Sequence, residues 1–143
     1  MRAVRNSSMF AIVLLGMFAG AAYAQETVTA RVPFPFMVGS ESFPAGRYDI
    51  EAADFGSSVI EIRGMDKRAS AGFTLTDPAS GKDPAGDQPV LVFKKWENTY
   101  RLAEIWQSMD EGRELPAFTD PGTGASNGAP AEESTYLVKA SVK

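Results

Sequence analysis

The sequence predicts an all-β chain, a single antiparallel β-sandwich or small barrel of about seven strands that follows an N-terminal signal peptide. Three observations carry that expectation. Apolar residues recur at every second position in several separate runs, and the runs are divided by Pro, Gly and Asp clusters. After residue 24 no stretch repeats convincingly at the three-and-four spacing of an amphipathic helix.

The first segment reads as an address. Arg2 and Arg5 precede an uncharged apolar run from Met9 to Ala22, and Ala22-Tyr23-Ala24 supplies the small-x-small pattern that a signal peptidase cuts. The run is shorter than the roughly 20 residues that cross a bilayer core. Cleavage after Ala24 is therefore expected, with release to the periplasm or the medium and no stable membrane span afterwards. No cysteine follows that site to accept a lipid. Residues 25–143 are expected to form one β domain with flexible segments at 77–89 and 117–135.

The first strand of that domain covers Val28, Ala30, Val32, Phe34, Phe36 and Val38 at period two. Pro33 and Pro35 fall on the opposite parity and cannot donate to a ladder, which predicts an edge strand or a bend at a bulge. Phe43-Pro44-Ala45-Gly46 has the Pro and Gly positions of a type I turn, and Tyr48, Ile50 and Ala52 resume the alternation as strand two. Ile60 and Ile62 mark strand three. Ala69, Ala71, Phe73 and Leu75 mark strand four, and the two form a hairpin across Gly64-Met65-Asp66-Lys67. The cluster from Asp77 to Pro89 reads as an exposed loop. Val90 to Trp106 forms the central hairpin. A three-residue turn at Glu97-Asn98-Thr99 sets Trp96 opposite Tyr100, Phe93 opposite Ala103 and Leu91 opposite Ile105, a better match than the two-residue alternative. Glu111-Gly112-Arg113 looks like a charged turn, Asp120 to Glu133 holds almost nothing to bury, and Tyr136, Val138, Ala140 and Val142 alternate as a returning strand or a frayed tail.

Several of these stretches occur together, in one order, in a known group. Pro33-Phe34-Pro35-Phe36-Met37-Val38-Gly39, Phe43-Pro44-Ala45-Gly46-Arg47-Tyr48, Leu91-Val92-Phe93, Tyr100 to Trp106 and Gly112-Arg113-Glu114-Leu115-Pro116 resemble a family of small exported proteins encoded repeatedly in soil acidobacterial genomes and uncharacterised in function. The resemblance covers about residues 28 to 116. It implies an all-β secreted domain of bacterial origin and no activity. After Pro116 the chain departs from the family, giving Ala117-Phe118-Thr119-Asp120 where relatives continue with a charged segment.

Composition narrows the chemistry. The chain has no Cys and no His, so disulfides, thiolate nucleophiles, imidazole bases and ordinary zinc sites are excluded. Its net charge is -4, and removal of Arg2 and Arg5 with the leader makes it -6. Such an acidic surface argues against nucleic acid, whose binders rely on Lys and Arg. Gly124-Ala125-Ser126-Asn127-Gly128 matches a nucleophile-elbow pattern but sits in a low-complexity tract with no histidine to serve it. Asp77, Asp83 and Asp87 could offer oxygens to Ca²⁺, yet their spacing is not that of an EF-hand. Glu61, Glu104 and Glu114 are the carboxylates a glycosidase would draw on, and the sequence places no two of them at a working separation.

The candidate ligand-binding residues are Lys94, Trp96, Tyr100, Glu104 and Trp106, which in the preferred register share one hairpin face with Leu102. Glu104 between two apolar neighbours needs a partner, and Lys94 lies diagonal to it. The competing reading is that the rings belong to the core and Glu104 reaches solvent at a sheet margin. No catalytic residue, metal site or cofactor is expected. Two functions fit: a noncatalytic binding or interaction module of the cell envelope, whose partner is a protein, a glycan or a small apolar ligand, and a small-ligand carrier resembling a lipocalin-type barrel.

Overall fold

The computed structural model describes residues 26–52, 58–66, 71–117 and 134–143. The expected leader at 1–24, the Gly124 to Gly128 motif and most of the 117–135 connector lie outside those residues. Among the described residues there is no helix. The described residues include eleven strand segments in one sheet, where about seven strands were expected: β1 (Val28–Val32), β2 (Phe36–Val38), β3 (Glu41–Phe43), β4 (Gly46–Ala52), β5 (Val59–Gly64), β6 (Ala71–Leu75), β7 (Asp77–Pro78), β8 (Val90–Trp96), β9 (Thr99–Trp106), β10 (Gly112–Glu114) and β11 (Ser134–Val142).

The order across the sheet is β3-β2-β9-β8-β11-β1-β4-β5-β6, with β10 pairing β9 and β7. The sheet curls until its two ends nearly meet as a barrel. At the seam β3 and β6 share no backbone ladder, and side chains bridge them: a Cβ built on Gly72 of β6 would lie 2.9 Å from Phe43 Cζ and 2.5 Å from Glu41 Oε2.

The larger strand count has local causes. Pro33-Phe34-Pro35 does not bend one strand but separates two, because neither proline can join a ladder. β1 lies inside the sheet between β11 and β4, so the expected edge position is corrected. The proline link carries the chain across the barrel to β2, which runs parallel to β9 with Phe36 beside Tyr100, the one parallel pairing among the described residues. Gly39, at φ 58°, then turns the chain into the short β3.

β6 reverses the expected facing. Its register sets Gly72 opposite Ile62 and Thr74 opposite Ile60, both of which point inward, so the even positions face the core. Phe73 is 67% exposed and Leu75 61%. The missing side chain at Gly72 makes room for the Phe43 ring, so this strand contributes space to the interior where the alternation promised apolar bulk.

The interior is filled by the inward residues of β1, β2, β3, β4, β5, β8, β9 and β11. Phe36 stacks on Phe43 at 5.4 Å and meets Tyr48 and Phe93 edge-on at 5.1 and 5.3 Å, so four rings occupy the centre. Such contacts add roughly 0.5–1.5 kcal/mol each beyond area burial. The Tyr48 hydroxyl donates to the carbonyl of Pro44 at 2.5 Å. Burial, and then the nearby Asp66 carboxylate, pushes that phenol above its ordinary pKa.

The 77–89 segment is tied to the barrel wall. β7 pairs β10, Ala79 N donates to Gly112 O at 2.9 Å, and Asp83 N donates to Met109 O at 3.2 Å. A second apolar cluster of Val90, Val92 and Trp106, joined by Ala79, forms on the outer face beneath it. The returning strand exists as β11, which pairs β8 on one side and β1 on the other.

Candidate binding surface

The β8–β9 hairpin decides where the candidate residues point. Its turn is the two-residue Glu97-Asn98, with Glu97 at φ 53°, which sets Trp96 opposite Thr99 and Lys95 opposite Tyr100. Farther along, Leu91 faces Ile105, as the longer turn would have required. The two are reconciled by a bulge. Val92 pairs Glu104 while Phe93 pairs Leu102, leaving Ala103 extra, and the Ala103 carbonyl accepts from Leu115 N at 2.8 Å. One inserted residue exchanges the faces of the strand. Tyr100 and Leu102 therefore point inward, whereas Glu104 and Trp106 point outward.

The expected single face is thus divided. Trp96 and Lys94 lie on the outer face near the turn, with Trp96 55% exposed. Trp106 lies on the same outer face at the far end but is 1% exposed, capped by the Ala79 segment. Its indole Nε1 donates to Glu104 Oε2 at 2.7 Å, so the indole supplies the polar partner for which Lys94 was the expected source. Gly112 lies flat on this ring, since a Cβ there would fall 2.5 Å from Trp106 Cε3. Glu114 on β10 is the register partner of Glu104, while Glu61 bonds Arg63 at 2.7 Å on β5, so the three carboxylates do not converge. Asp83 is buried, with Oδ1 accepting from Ala85 N at 2.7 Å, and no cluster of three or more metal-binding side chains forms among the described residues.

Tyr100 belongs to a different group, which closes the hairpin end of the barrel. Phe34, on the proline link, stacks on Tyr100 at 3.9 Å between centroids and meets Phe93 edge-on at 5.2 Å. Tyr136 of β11 meets Tyr100 edge-on at 5.1 Å. Lys95 Nζ sits 5.3 Å from the Tyr100 centroid and 6.0 Å from that of Tyr136, within cation–π range. Phe34 and Tyr100 are half-buried and Tyr136 is 38% exposed, so the crown rests on buried Phe93 and opens to solvent at its rim.

Phe34, Lys95 and Tyr136 were missed by the sequence reading. Two signals pointed to them: Phe34 is held between two prolines, a rigid link that fixes a ring, and Tyr136 begins the alternating run of β11 on the parity of buried Val138. Their convergence depends on β2 and β11 both neighbouring the hairpin, a long-range pairing. Comparison with protein-family models, curated proteins and solved structures returns no match.

Proposed function

We propose that the chain is an exported, noncatalytic binding or interaction module of the cell envelope, and that its contact surface is the crown of Phe34, Tyr100 and Tyr136 under Lys95, flanked by Trp96. The observation that carries this reading is the placing of an ammonium group over a partly exposed aromatic cluster at one barrel end. Ring faces take up sugar rings or apolar groups, and a cation beside them favours a partner that also carries negative charge. The preferred ligand is an acidic glycan of the envelope. The resemblance to exported acidobacterial proteins agrees with this location. A lipocalin-type carrier is less well supported, because it needs a hollow at the level where Phe36, Phe43, Tyr48 and Phe93 meet.

Calorimetric titration of the purified protein with acidic and neutral envelope glycans tests the reading. Binding of the acidic glycans, weakened about tenfold by Tyr136→Ala and by Lys95→Ala, is the expected result, that factor corresponding to about 1.4 kcal/mol. Failure of every glycan to bind, or binding indifferent to both substitutions, overturns it.

A further inference from the structure

Below the crown, three cations cross the outer wall of the barrel. Arg31 of β1 and Arg47 of β4 are direct ladder partners, and the buried residues beside them, Ala30, Val32 and Tyr48, point inward, so both guanidinium groups lie on the outer face in solvent. β11 flanks β1 on its other side with Ala140 opposite Ala30. Lys139 is exposed one step beyond that pair, on the Arg31 side. The row Lys139-Arg31-Arg47 thus spans two strand spacings, roughly 10 Å.

Like charges set directly opposite each other destabilise a sheet, so the row costs stability unless something neutralises it. Acidic side chains outnumber basic ones in this chain by 18 to 14, yet among the described residues none forms an ion pair with any of the three cations. Asp49 shares their face but is opposite Arg63, and it accepts from Thr29 Oγ1 at 2.7 Å. Asp66 is turned to the backbone, with Oδ2 accepting from Arg47 N at 3.2 Å. The row also adjoins the crown. Phe34 lies three residues after Arg31 and Tyr136 three before Lys139, and their rings meet edge-on at 6.4 Å. Each strand therefore leads from the row to the rim in roughly 10 Å.

We infer that Lys139, Arg31 and Arg47 form a second subsite for the acidic glycan, which binds as an extended chain with one sugar on the rings of the crown and later, negatively charged sugars on the row. The inference rests on the crown reading and sharpens its ligand to a polymer that repeats its charge. A single acidic sugar at the rim does not reach the row, whereas a chain of several units crosses the wall and neutralises charges that the described residues leave unpaired. The field of three neighbouring cations selects a uronate polymer over a neutral one.

Calorimetric titration with oligogalacturonates of increasing length, and with their methyl-esterified forms, is the test. Affinity for the acidic series is expected to rise with length until the chain spans both subsites. Arg31→Gln, Arg47→Gln and Lys139→Gln combined should weaken the longest oligomer about tenfold, equivalent to about 1.4 kcal/mol, and flatten its dependence on salt. The shortest oligomers should respond to Tyr136→Ala and not to the triple substitution. The triple variant should unfold in urea no more readily than the unsubstituted chain, because it removes facing like charges, whereas residues that merely supported the fold would lower the midpoint. Long and short oligomers that bind equally, or a long oligomer indifferent to the triple substitution, overturn the inference and leave the crown reading standing. Absence of binding at every length, or capture of the protein by phosphatidylglycerol vesicles in place of the oligomers, overturns both.

Discussion

Trp96 and Trp106 occupy the same outer face of one hairpin, yet the first is 55% exposed and the second 1%. Strand parity does not separate them. Trp106 is covered because the 77–89 segment is pinned over it through β10 and the Met109 carbonyl, and because Gly112 leaves a flat place for the ring. Trp96 has no such roof among the described residues. The difference teaches that burial on the outside of a small barrel is decided by connections, which cover the far half of the hairpin and leave the indole at its turn in solvent.

Trp106→Ala gives the largest expected effect. It empties the outer cluster and leaves Glu104 without its indole donor, and a loss of about 3–5 kcal/mol in denaturant unfolding is expected. Gly112→Ala sharpens the contrast from the other side of the ring. The added methyl meets indole carbons at 2.5 and 2.6 Å, and a destabilisation of about 1–3 kcal/mol should accompany displacement of the 77–89 segment, read by hydrogen exchange at Ala79 and Asp83. Trp96→Ala is the smallest, within about 0.5 kcal/mol by the same unfolding measurement. It should also remove the long-wavelength part of the tryptophan emission and leave a blue-shifted Trp106 spectrum. An unchanged spectrum would show that the two indoles are equally wet and would break the comparison.

Much of this fold was legible in the sequence because period-two alternation reports a half-buried strand directly, as at Val28 to Val32, at Tyr48 to Ala52 and at Tyr136 to Val142. Misreadings arose where one residue changes a parity or a place in the sheet. Ala103 rotates the end of β9 by a bulge, which split Tyr100 from Glu104 and Trp106. Gly72 lets β6 turn its apolar residues outward because the Phe43 ring comes from a strand 29 positions earlier in the chain. Neither is a local property, since each depends on what a distant strand brings to the same place. Lys95 and Tyr136 belong to that class too, being joined only after β11 docks beside β8.

The position of β11 has a consequence for assembly. β11 ladders to β8 on one side and to β1 on the other, and so joins the β1-β4-β5-β6 half of the wall to the β2-β3-β8-β9 half. Each half is built mostly from nearer pairings, whereas residues 134–142 must dock across the length of the chain to join the two. Closure of the barrel therefore waits on the most distant pairing of the described sheet, from Val28 to Val142, whose loop-closure entropy slows folding.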